Sequence, residues 1–96
     1  MMTNMAYEKS YRQLERIIKG FANHRRIEIL HLLKKEPELS VDDVSERLRM
    51  GYENASDHLR KLAIAGLVWK RYEGTTVRHK VTHRAESILV FCKKLQ

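Results

Sequence analysis

Residues 40–66 read SVDDVSERLRMGYENASDHLRKLAIAG, and the fold turns on how this stretch is read. Ser40 precedes an inner apolar stripe of Val41, Val44 and Leu48, and Asp43 stands three residues after it. That is a variant of the capping box, in which side chains satisfy the free backbone donors at a helix start. A helix over 40–49 is predicted. Met50-Gly51 interrupts the pattern, and a second helix is predicted over 52–65, with Ala55, Leu59, Leu62 and Ala63 facing inward and Gly66 ending it. Two helices this close, with so short a break, predict a helix-turn-helix.

Past Gly66 the apolar period changes from 3.6 to 2. Residues 68–73 and 76–82 read as two strands joined at Glu73-Gly74-Thr75, with Val77, His79 and Val81 on one face and Arg78 and Lys80 on the other. A last helix is predicted over 83–95, with an inner stripe of Ile88, Phe91, Cys92 and Leu95. Upstream, Tyr7, Tyr11, Leu14, Ile18 and Phe21 form one helical stripe, so a first helix is predicted over 7–21. Asn23 can cap a second helix, which Pro37 ends. Its apolar residues Ile27, Ile29, Leu30, Leu32 and Leu33 fall on more than one face, which predicts a central helix buried on several sides. His31 lies in that helix and is expected to be a core or interface histidine. The expected fold class is mainly α with a β-hairpin: a winged helix-turn-helix of order α-α-α-α-β-β-α, dimeric, in one domain over residues 1–96.

Composition narrows the function. Nineteen Lys and Arg against twelve Asp and Glu give a formal charge of +7, an excess that attracts polyanions. The hydrophobic fraction of 43% is too high, and too regularly patterned, for a disordered chain. A single cysteine, Cys92, excludes an intrachain disulfide and fits a reducing cytoplasm. Residues 1–12 lack the apolar core of a signal peptide, and the longest apolar run, Ile88 to Cys92, is far too short to span a membrane. A cytoplasmic protein without membrane contact is expected.

In a helix-turn-helix the second helix lies in the major groove, and its outer N-terminal residues reach base edges. Here these are Tyr52, Glu53, Ser56, Asp57 and Arg60. Arg60 can pair with guanine or hold a phosphate. Glu53 near the positive end of the helix dipole can simply stabilise the helix, or accept from a cytosine amino group. On the hairpin, Lys70, Arg71, Arg78 and Lys80 make a basic wing suited to phosphates beside the groove. Catalysis is not expected. Ser56, Asp57 and His58 are the residue types of a hydrolase triad, but consecutive helical side chains point about 100° apart and cannot converge.

Ala22 to Leu30, Asn54 to Leu62, Gly66-Leu67-Val68 and Arg71-Tyr72-Glu73-Gly74 resemble, in order, the second helix, recognition helix, wing entry and wing tip of ArsR-type winged-helix regulators. The resemblance covers about Leu14 to Phe91. It implies a DNA-binding homodimer whose first and last helices pack against their partners; the stripes Tyr7, Tyr11, Leu14 and Ile18, and Ile88, Phe91, Cys92 and Leu95, exceed what the core can cover and are the expected interface residues. It also implies possible control by a metal or another effector. The family's Cys-x-Cys site corresponds here to Ser40-Val41-Asp42, which offers no thiolate. Its Asp-x-His opening of the last helix corresponds to His83-Arg84-Ala85, which leaves His83 and Glu86 as two ligands where zinc needs more. No metal and no cofactor are therefore expected, DNA binding should be independent of zinc, arsenic and cadmium, and the effector stays open. His79 and His83, read as exposed, retain only weak metal affinity. The expected function is a sequence-specific transcriptional regulator, a repressor on a palindromic operator of double-stranded DNA. The alternative is a winged helix for protein contact or for non-specific nucleic-acid binding, kept open by the acids Glu53 and Asp57.

Overall fold

The computed structural model describes residues 8–96. Its elements are α1 (Tyr11–Phe21), α2 (His24–Lys35), α3 (Val41–Leu48), α4 (Tyr52–Ile64), β1 (Val68–Glu73), β2 (Thr76–Val81) and α5 (His83–Lys94), in the expected order. The start of α1 differs from the sequence reading. Ser10 Oγ accepts from the Gln13 amide at 3.1 Å and Gln13 Oε1 accepts from the Ser10 amide at 2.8 Å, a full capping box that begins the helix at Tyr11. Tyr7, from which the stripe was counted, lies outside the described residues.

Asn23 caps α2 by accepting from the amides of both Arg25 and Arg26 at 3.0 Å. This helix is central as expected: it packs against α1, α3, α4, α5 and β2, and Ile29, Leu30 and Leu33 are fully buried. His31 is not buried with them. It lies roughly 150° around the helix from the centre of that stripe and is exposed.

Strands β1 and β2 pair antiparallel from Val68 opposite Val81 to Glu73 opposite Thr76, leaving Gly74-Thr75 as the turn. Gly74 has φ +62°, the left-handed conformation that such tight turns require. The hairpin is also tied to the connection between α2 and α3. His79 N–H donates to Leu39 O at 3.0 Å and Glu38 N–H to His79 O at 2.8 Å, forming an antiparallel bridge.

His79 itself is buried, 1% exposed, where the sequence reading had it on the surface. The strand alternation that groups it with Val77 and Val81 turns it inward. Its Nδ1–H donates to Leu39 O at 2.9 Å, which pays part of the cost of burying the ring. Burial holds its imidazole below the ordinary histidine value, partly opposed by that hydrogen bond and reinforced by Lys70. Burial, then Arg26, lower His58 as well. Since both folded values lie below the unfolded one, the unfolded chain binds more protons as pH falls through this range. Their contribution to stability is complete above about pH 6.5 and is lost as the pH drops from there through the depressed folded values. The denaturant midpoint should therefore fall between about pH 7.5 and pH 5.5, ahead of carboxylate titration. His79→Gln should flatten that fall; an unchanged pH profile would remove His79 from the account.

Two close approaches shape the rest. At Gly20 an added Cβ would stand 2.5 Å from Ala65 Cβ, so α1 packs directly on the C-terminal end of α4. Gly66, at φ +74°, turns the chain from α4 into β1, with Thr82 Oγ1 donating to its carbonyl at 2.8 Å and Arg84 Nη1 donating to Ala65 O at 2.9 Å. Thr82 therefore leaves β2 and caps α5, its Oγ1 accepting from the Ala85 amide at 3.2 Å. Helix α5 buries Ala85 and Leu89, with Ile88 packed partly against the core. The predicted inner stripe is thus rotated: Phe91 and Leu95 are 54% and 69% exposed. Among the described residues no helix is long and apolar enough to cross a membrane.

Candidate nucleic-acid interface

Helix α4 presents its polar side because Ala55, Leu59 and Leu62 recur at helical spacing and are buried. Three contacts fix the turn that leads into it. Arg49 ends α3 in the left-handed conformation at φ +53°. Ser45 Oγ donates to Met50 O at 2.5 Å. Arg25 of α2 donates from Nη2 to Leu48 O at 2.6 Å and pairs through Nη1 with Glu28 at 2.7 Å. Free carbonyls at a helix end need such partners. Arg25 therefore positions the helix-turn-helix, a role the sequence reading missed because its partner is 23 residues away.

Of the residues singled out on α4, Tyr52, Glu53 and Arg60 are exposed, and Ser56 and Asp57 are half-buried. They lie on the outer side, together with Ile64, whose 75% exposure was not anticipated. Asp57 does not stand as a free acid. It is bonded to Arg60 and to Lys61 at 3.0 Å, and Lys61 first, then Arg60, hold its carboxyl below the usual range. It fixes two cations along the helix and loses its own field to them. Glu53 makes no ion pair among the described residues and sits in the first turn, where the helix dipole favours an acid.

The hairpin separates the four basic residues grouped on it. Directly opposed residues of an antiparallel pair share a face. Arg71 opposes Arg78 and Trp69 opposes Lys80, so Arg71, Arg78 and Lys80 share one face with Trp69, which is 66% exposed. Lys70 opposes His79 and lies on the other face. Both arginines already hold acids. Arg71 is 2.6 Å from Glu38, whose bond raises its pKa, and Arg78 Nε is 3.1 Å from Glu73. Arg78 Nη1 also lies 3.9 Å from Asp43 and 3.4 Å from Glu38 O. Lys70 and Lys80 make no ion pair among the described residues. Glu38 was not anticipated, since nothing in its sequence position marks it as the hairpin's partner.

Tyr11 and Ile18 on α1 and Phe91 and Leu95 on α5 are exposed apolar residues, while Leu14, Ile88 and Cys92 are half-buried. His83 Nδ1 lies 3.6 Å from Glu86, and Glu86 is bound to Lys34 at 2.5 Å. No group of three or more His, Cys, Asp or Glu that could hold a metal occurs among the described residues. Ser56, Asp57 and His58 do not converge: Asp57 faces Arg60 and Lys61, and His58 Nδ1 lies 3.3 Å from Arg26.

Four helices followed by a hairpin and a fifth helix, with a polar second helix behind a short turn, define a winged helix-turn-helix protein. Residues 23–70 match the model of the bacterial regulatory protein arsR family. Over 70 residues the chain is 40% identical to the transcriptional activator HlyU of Vibrio cholerae, covering 73% of this chain and 64% of that protein. The match thus spans a little under two-thirds of the curated relative's length. Among solved structures, the homodimeric winged helix-turn-helix DNA-binding domain of a possible ArsR-family regulator from Mycobacterium bovis superposes with a TM-score of 0.81 at 28% identity, over 98% of this chain and 89% of that one. NolR from Sinorhizobium fredii superposes with a TM-score of 0.82 at 25% identity, over 98% and 96%. The chain belongs to the ArsR family of bacterial regulatory proteins.

Proposed function

We propose that this protein is a cytoplasmic transcriptional regulator that binds double-stranded DNA as a homodimer, with α4 in the major groove and the hairpin's basic face on phosphates. The observation that carries this reading is the fixed presentation of α4, its polar outer side held by the Arg25 and Ser45 contacts at the turn. The exposed apolar residues of α1 and α5, Tyr11, Ile18, Phe91 and Leu95, supply the surface for a second copy. A twofold axis through that surface would present two recognition helices to a palindrome. The Mycobacterium bovis domain is homodimeric, which supports the same assembly here. Light scattering at micromolar concentration should give the mass of a dimer; a monomer mass would remove this part of the reading.

The neutralisation of Asp57 by Arg60 and Lys61 favours DNA over a protein partner. Ser56 and Arg60 are the residues expected to carry sequence information, with Tyr52 beside them, while Glu53 in the first turn stabilises the helix or accepts from a cytosine amino group. Occupying an operator that overlaps a promoter represses transcription, and that is the sense of control we assign. The test is selection of binding sites from random DNA, followed by affinity measurements on the selected operator and on random sequence. Ser56→Ala and Arg60→Ala should each cost about 1–3 kcal/mol on the operator and much less on random DNA. Equal losses on both would mean that α4 does not read bases.

A further inference from the structure

A cleft of about 710 Å3 lies between α1 and the C-terminal end of α4. That volume is within the range of small-molecule sites. Lys9, Arg16, Lys19, Arg26, Lys61 and Arg84 line it, and no carboxylate does among the described residues. Ile17, Ile64 and Ala65 supply an apolar surface. Lys19 and Lys61 are paired with Glu15 and Asp57, and Arg84 donates to Ala65 O, which leaves Lys9, Arg16 and Arg26 as like charges that an anion between them would relieve.

The hydrogen-bond inventory points the same way. Arg26 Nε is buried without a partner, and its two outer nitrogens make only long contacts, 3.3 Å to His58 Nδ1 and 3.5 Å to Lys19 O. Nε is closed to solvent, so the donor capacity left for a ligand lies on the two outer nitrogens, whose contacts are long. Lys19 and Lys61 hold Glu15 and Asp57 outside the cleft, whereas Lys9 and Arg16 make no ion pair among the described residues. Ile64, 75% exposed, is an apolar side chain at the edge of this charged surface.

We propose that this cleft binds a small organic anion: a carboxylate or sulfonate head among the cations, and an apolar body over Ile17 and Ile64. DNA is not the occupant. Tyr52, the end of α4 that would enter a groove, lies about 18 Å along the helix from Ile64. A second copy is not the occupant either. Gln13, Arg16, Ile17 and Gly20 form the cleft side of α1, whereas Tyr11, Leu14 and Ile18 lie on roughly the opposite side.

The test uses the full chain and naphthoate, with naphthalenemethanol and inorganic phosphate as the two halves of its chemistry. Calorimetry should give naphthoate a Kd below about 1 mM, with both controls at least about tenfold weaker. Arg16→Gln combined with Lys61→Gln should weaken naphthoate by about tenfold; Arg16→Gln alone, an exposed change, serves if the pair impairs folding. Naphthalenemethanol binding as tightly as naphthoate would overturn the proposal, as would phosphate doing so or both variants binding unchanged. Loss of binding in Tyr11→Ser with none in the cleft variants would overturn it too, by placing the probe on the apolar stripe. These readouts do not depend on DNA binding. Because Lys61 follows Arg60, displacement of naphthoate by duplex DNA would make the cleft a phosphate contact and overturn the proposal.

Discussion

The affinity of the dimer for DNA should fall with salt at a log–log slope of about −5, a loss of about a thousandfold between roughly 50 and 200 mM. The figure follows from the hairpin's geometry. Arg71, Arg78 and Lys80 share a face, which gives six candidate phosphate contacts for two wings, each releasing about 0.9 of a counterion. Lys80→Ala removes one contact from each wing and should flatten the slope by about two, on all sequences alike. Lys70→Ala tests the fourth basic residue, which lies on the other face beside His79 and should change the slope less. The acids enter with opposite sign. Glu38 holds Arg71 and competes with phosphate for it, so Glu38→Gln should strengthen binding to every sequence. Fluorescence anisotropy on operator and random DNA at several salt concentrations reads all of these. A slope near zero, or one indifferent to Lys80, would take the hairpin off the DNA.

Leu30→Ala should have the largest effect on stability, about 2–5 kcal/mol. Leu30 is fully buried on α2, the helix that touches α1, α3, α4, α5 and β2, so the cavity opens where collapse is hardest. A domain of this size has about 5–15 kcal/mol in total, so a denaturant midpoint shifted by a large fraction is expected. Unfolding of a dimer depends on concentration, and both proteins must be compared at the same one. A loss under about 1 kcal/mol would mean that the core rearranges to fill the space.

The order of elements was legible because breakers and caps sit where the periods change. Ser40 with Asp43, Asn23, Gly66 and Gly74 each act on neighbours within a few residues, and the backbone follows them. The inward stripe of α4 was legible for the same reason. What failed concerned facing. Phe91 and Leu95 have the right spacing for an inner stripe, but two apolar stripes on one helix look alike in sequence, and packing chose Ala85 and Leu89. His31 and His79 exchanged places: one belongs to a buried helix but points away from its core, and the other lies among basic residues on a face that turns inward. The residue types proposed for the site, a polar outer side on α4 and a basic hairpin, could be named from the sequence. Its ion pairs could not, because Glu38 meets Arg71 across 33 residues, and Arg25 meets Leu48 across 23.

The bridge between Leu39 and His79 ties the hairpin to the connection that leads into α3, and α3 packs on α4, so α4 and the hairpin are held to a common frame. Neither can be re-aimed without the other. In the proposed dimer, the separation of half-sites is set by α1 and α5. Under the proposed assembly, substitutions in α1 and α5 would retune operator spacing without touching α4, and substitutions on α4 would change base preference without altering that spacing.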